Sequence, residues 1–121
     1  MQDQQLKKSI KNLAQILNEK KINDILFDAI CKRFEVCFEY TWKAIKRCAD
    51  EAGQEVYSPK DAIREGVKLK LIDDLDLWMK FLHERNLSVH NYYSGDPEAT
   101  LVVIRKFLGQ VKKFGASKKK L

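Results

Sequence analysis

Residues 30–52 read ICKRFEVCFEYTWKAIKRCADEA, and this stretch decides the fold. Ile30, Phe34, Cys37, Phe38, Thr41, Ile45, Cys48 and Ala52 recur at steps of three, four or one, so they line one side of a helix for six turns, with no Gly or Pro inside. Gly53 follows, a residue suited to the left-handed conformation just past a helix end. Upstream, Leu6, Ile10, Leu13 and Leu17 give a first helical stripe, closed by the polar break Asn18-Glu19-Lys20-Lys21. Downstream, Ser58-Pro59-Lys60-Asp61 is a start signal: a serine cap, a proline at the first helical position and an acid at the third. The short helix it opens gives out at Lys68-Leu69-Lys70-Leu71. Asp73 or Asp74 can cap a fourth helix with the stripe Leu75, Trp78, Met79, Leu82, Asn86, Val89 and Tyr93. After the turn Ser94-Gly95-Asp96-Pro97, a fifth stripe runs through Leu101, Ile104, Leu108 and Val111.

No alternating β-branched run with hairpin turns occurs. The pattern therefore predicts an all-α protein, an antiparallel up-and-down bundle of four to five helices with short connections. At 121 residues, of which 45% are hydrophobic, the chain fits one domain, expected over residues 1–114, with residues 115–121 as a flexible Lys-rich tail. The net charge is +6, but Lys112, Lys113, Lys118, Lys119 and Lys120 supply most of it, and without them 18 basic residues face 17 acidic ones. A high pI is thus weak evidence for a nucleic-acid face on the body. Lacking a signal-like N-terminus or a membrane-length apolar run, the chain is expected to be cytoplasmic with no membrane association. Cys31, Cys37 and Cys48 offer neither a disulfide framework nor a zinc pattern and read as buried thiols.

The chemistry concentrates in residues 78–93, WMKFLHERNLSVHNYY. Arg85 beside His90 suits phosphate esters: a guanidinium fork grips non-bridging oxygens, and an imidazole exchanges protons near neutral pH. On RNA, His90 could assist attack of a ribose 2′-OH or protonate the leaving oxygen while Arg85 stabilises the developing charge, and no metal is needed. Asn86 shares a face with His90. Arg85 and His90 lie about 140° apart around an ideal helix, so their convergence needs a long arginine arm, a distorted last turn or a second copy of the chain. The plainer reading of the same residues is cations gathered at the negative end of a helix dipole. Asp73, Asp74 and Asp76 look like a metal cluster but are expected as caps and dipole partners. Glu39, Tyr40, Trp42, Lys43 and Lys46 could face a cleft, a solvated helix face being the simpler expectation.

Arg85-Asn86-Leu87-Ser88-Val89-His90 resembles the Arg-x4-His pattern of the HEPN superfamily, and with Tyr92 it becomes Arg-x4-His-x-Tyr, as in HepT-type toxins. Phe34 through Lys43, Ser58-Pro59-Lys60 with Ile63-Arg64-Glu65, and Leu71-Ile72-Asp73-Asp74 with Leu77-Trp78 are similar to successive blocks of the nucleotidyltransferase substrate-binding protein family, a branch of that superfamily. The resemblance implies a homodimer paired with a small nucleotidyltransferase in a toxin–antitoxin module. It also implies a metal-independent, cofactor-free ribonuclease with Arg85 and His90 catalytic and Asn86 supporting, silenced when the partner adenylylates Tyr92. For this branch it equally allows a non-catalytic subunit that binds a nucleotide or substrate for the partner. A purely structural helical adaptor would give Arg85 and His90 no special place.

Overall fold

The computed structural model describes residues 2–89 and 95–118. Five helices carry them: α1 (Gln2–Leu17), α2 (Asp24–Glu51), α3 (Pro59–Lys68), α4 (Leu75–Val89) and α5 (Pro97–Lys118). They form the all-α, up-and-down bundle that the periodicities predict. Among the described residues α2 is the only helix touching all four others, so the stretch that decides the fold is also its axis.

Capping explains most of the boundaries. Asn23 Oδ1 accepts the Leu26 N–H at 2.8 Å and starts α2 several residues before the stripe read from Ile30. Ser58 Oγ accepts the Asp61 N–H at 3.1 Å, with Pro59 next to it, as the start signal requires. Asp74 is the residue that caps α4, its Oδ1 accepting the Leu77 N–H at 3.1 Å. At the end of α2, Gly53 takes a φ of 82° and the Gln54 N–H returns to the Ala49 carbonyl at 2.9 Å.

Two stripes differ from the sequence reading. In α4 the residues facing the core are Trp78, Phe81 and Ser88, with Arg85 half-buried on the same line, whereas Leu75, Asn86 and Val89 lie off that line. The inward line follows steps of three, four and three; choosing Leu75 and Met79 as its start turned it by about one residue, or 100°. In α5 the buried stripe passes through Phe107 rather than Leu108, which lies beside it, half-buried. Phe107 is a hub. Its ring meets Phe34 at 5.1 Å, Phe81 at 5.4 Å, and Phe38 and Trp78 at 6.0 Å each, mostly edge to face, which ties α5 to α2 and α4 through aromatic contacts.

Helix α5 also continues past Phe114 to Lys118, beyond the helix end expected there. Gly115 is not a stop but a point of close approach: a Cβ at this position would lie 3.2 Å from Ile10 Cδ1 of α1. Gly66 plays the same part between α3 and its neighbours, where a Cβ would come 3.0 Å from Ile45 Cγ2 and 3.1 Å from Ile72 Cγ1. No helix of the described residues is long and apolar enough to cross a membrane.

Candidate active site at the end of helix α4

Because α4 packs on α2 along the line 78, 81, 85, 88, Arg85 is pointed inward at α2 rather than toward the carbonyls at its own helix end. Its Nη2 donates to Glu39 Oε1, its Nη1 donates to Asn86 Oδ1 at 2.9 Å, and its Cζ lies 6.0 Å from the centre of the Phe38 ring. Arg85 Nε is buried with no partner among the described residues. The second oxygen of Glu39, Oε2, accepts the indole N–H of Trp42 at 3.1 Å and lies 4.0 Å from Lys43 Nζ. Glu39 is therefore fixed from its own helix and in turn fixes the guanidinium. The pair is partly open, with 23% of the Arg85 side chain and 33% of that of Glu39 exposed, so an anion from solvent can reach the arginine.

One turn further along α4, Ser88 Oγ donates to Glu35 Oε2 at 2.7 Å. Glu35 and Glu39 are four residues apart on α2, and Arg85 and Ser88 are three apart on α4, so the two contacts form successive rungs that set the helices in register. Beneath the outer rung, burial and the neighbouring Asp28 and Glu35 carboxylates push the Cys31 thiol up to about 11, against a smaller opposing pull from the Ser88 hydrogen bond. Burial likewise raises the Cys37 thiol to about 11. Neither is a nucleophile at neutral pH. These two cysteines are buried as expected, whereas Cys48 is only half-buried.

Of the residues singled out by sequence, Arg85 and Asn86 are brought together, and Asn86 supports Arg85 directly from beside the inward line. His90 and Tyr92 lie outside the described residues; His90 directly follows Val89, the last residue of α4. His83 is exposed and takes no part in the site. The α2 residues named as possible cleft residues divide: Glu39 and Trp42 join the site, whereas Lys46 pairs with Asp50 at 2.9 Å. Glu35 and Ser88 were missed. The signal for them was a carboxylate one turn before Glu39 and a small hydroxyl three residues after Arg85, legible only once the α4 stripe is placed correctly.

A five-helix bundle with an arginine held near the end of its fourth helix is an architecture of the HEPN type. The Nucleotidyltransferase substrate binding protein like family model matches residues 2–120, and the chain belongs to that family. It is 29% identical over 94 residues to a Haemophilus influenzae protein named as a probable ribonuclease HepT, a match taking in 72% of this chain and 63% of that one, so the chain spans less than two-thirds of that relative's length. Among solved structures it is similar to a protein from Thermus thermophilus, with a TM-score of 0.80, 25% identity and coverage of 90% of this chain and 94% of that one. It shares its fold with a tri-AMPylated Shewanella oneidensis HEPN toxin solved in complex with MNT antitoxin, with a TM-score of 0.81, 19% identity and coverage of 99% and 95%.

Proposed function

We propose that this chain is the HEPN-type subunit of a two-gene toxin–antitoxin module, a metal-independent endoribonuclease of the cytoplasm that works as a homodimer and is silenced by a partner nucleotidyltransferase through adenylylation of Tyr92. The observation that carries this reading is the presentation of Arg85: a guanidinium aimed by Glu39 and Asn86, open to solvent on one side, five residues before His90. In the reaction, the ribose 2′-oxygen attacks the adjacent phosphorus as its proton is taken up, and the bond from phosphorus to the 5′-oxygen breaks as that oxygen gains a proton. The products are a 2′,3′-cyclic phosphate end and a 5′-hydroxyl end. His90 handles these protons, with the motifs of two copies meeting in one cleft, and Arg85 stabilises the charge on the non-bridging oxygens. Neither role calls for a metal or cofactor. An adenylate on Tyr92 would place a phosphate beside Arg85, occupying the cation and the space that RNA requires. The names of the relatives, a probable ribonuclease and an AMPylated toxin held by its antitoxin, support the same assignment.

The test is cleavage of single-stranded RNA by the purified chain in the presence of a chelator. Arg85→Ala is expected to lower the rate about 10²- to 10³-fold and His90→Ala about 10²- to 10⁴-fold. Equal cleavage by all three proteins would rule the reading out. The family's own description favours a second reading, a non-catalytic subunit that binds nucleotide or substrate for the partner. RNA left uncut by the unmodified chain, with adenylate gained at Tyr92 on mixing with partner and ATP, would select it.

A further inference from the structure

The three cavities described between the helices differ in charge. One mixes Asp73 and Asp74 with Lys70 and Lys113, and another mixes Glu19 and Glu98 with Lys20 and Arg105. The third, a groove of about 340 Å³ between α1 and α2, is lined by Lys8, Lys32 and Arg33 and by no carboxylate. Arg33 is pinned there, its Nη1 donating to the Asn12 carbonyl at 2.8 Å. Lys8 and Lys32 are exposed, and among the described residues neither has an ion-pair partner. Of the α2 carboxylates nearest Lys32 along the helix, Glu35 and Glu39 are engaged by Ser88 and Arg85 of α4, and Asp28, one turn before Lys32, forms no ion pair with it. The groove also holds the half-buried ring of Tyr40 and the Gln5 and Asn12 side chains. Unneutralised cations beside an aromatic ring and amide groups are what a nucleotide unit requires: charge for the phosphate, a flat face for the base and donors and acceptors for its edge.

Tyr40 is the chain neighbour of Glu39, so the groove lies about a quarter-turn around α2 from the Arg85 pair, within roughly one helix diameter, about 10 Å. A strand whose scissile phosphate sits at Arg85 can therefore cross α2 into it. We propose that this groove is a subsite for single-stranded RNA outside the cleaved position, with Lys8 and Lys32 on phosphates and Tyr40 stacked on a base; the assignment rests on the ribonuclease reading above. It gives a body with nearly balanced charge a place to hold a polyanion, because no carboxylate lines the groove that carries these cations.

The experiment measures binding of a short fluorescent single-stranded RNA to the full-length chain carrying His90→Ala, over a range of salt concentrations. Adding Lys8→Ala with Lys32→Ala is expected to weaken binding at low salt and to flatten the slope of log affinity against log salt by about 1.4, the value for two lost phosphate contacts. Adding Tyr40→Leu is expected to weaken binding about 5- to 100-fold while leaving the slope unchanged. With His90 present, cleavage of a dinucleotide by the same groove variants should match that of the parent, since so short a substrate does not reach the groove. RNA binding with the parent's affinity and slope in both groove variants would overturn the proposal. So would groove variants that lose only the partner nucleotidyltransferase, which would make the groove a protein-docking surface. Failure of the ribonuclease reading registers separately, as cleavage that survives Arg85→Ala and His90→Ala.

Discussion

Glu39 divides its two oxygens between a guanidinium and an indole, and this division aims Arg85 without saturating it. A partly exposed ion pair of this kind contributes little to stability, so its value lies in orientation. Glu39→Gln keeps the size and one acceptor but removes the charge. We expect cleavage to fall about tenfold, the equivalent of one charge-assisted hydrogen bond, while the urea midpoint shifts little. A large loss of stability with unchanged cleavage by the folded fraction would show Glu39 to be structural only. The buried thiols make a different prediction. Cys31 and Cys37 are both raised from 9.0 to about 11, so the unfolded chain ionises first as pH rises. Their contribution is complete below pH 9 and is lost on the way to pH 11, at most about 2–3 kcal/mol for each thiol. Urea denaturation across this range should show stability falling with pH, and Cys31→Ala with Cys37→Ala should make the fall shallower.

At the scale of the helices, the sequence announces its boundaries through chemistry that needs no tertiary context. The Ser58-Pro59 start and the left-handed Gly53 read directly, and the Asp74 cap is one of the two aspartates the sequence offers for α4. Ser58→Ala should cost about 1 kcal/mol in urea denaturation, the usual value of such a cap, and Ser58→Asp should restore it. Rotation was harder to read than extent. In α4 the apolar residues Leu75, Trp78, Met79, Phe81 and Leu82 are dense enough to support two stripes, and the polar Arg85 and Ser88 on the true inward line argue against it unless their acid partners on α2 are already known. In α5, Phe107 and Leu108 compete in the same way, and only the facing rings of Phe34 and Phe81 decide between them. Gly115 reads locally as a terminator because its reason for being small, Ile10, is more than a hundred residues away in the chain. The sequence names Arg85 and Asn86 as candidates, with a helix-dipole reading beside them and the family resemblance giving them their roles, whereas Glu35 and Ser88 could not be read because their contacts exist only between helices.

For the molecule as a whole, the aromatic hub joins the site to the core. Phe38 lies beneath the Arg85 guanidinium and also contacts Phe107, which contacts Trp78 and Phe81 on the helix that carries Arg85. Phe107→Ala should destabilise the bundle by about 3–5 kcal/mol, measured by urea denaturation, since four rings lose their common neighbour. Phe107→Leu should retain much of this stability, and an equal loss in both variants would deny the ring its central place. The two tryptophans occupy very different positions in this network: Trp78 is 1% exposed within the hub, while Trp42 is half-buried with its indole N–H on the carboxylate that holds Arg85. When a phosphate draws Arg85 away, Glu39 gains a free charge beside that indole while Trp78 keeps its surroundings. The bundle thus carries its own optical gauge: the emission of a Trp78→Phe chain should shift in wavelength as the site fills, and a titration can follow occupancy with no label attached.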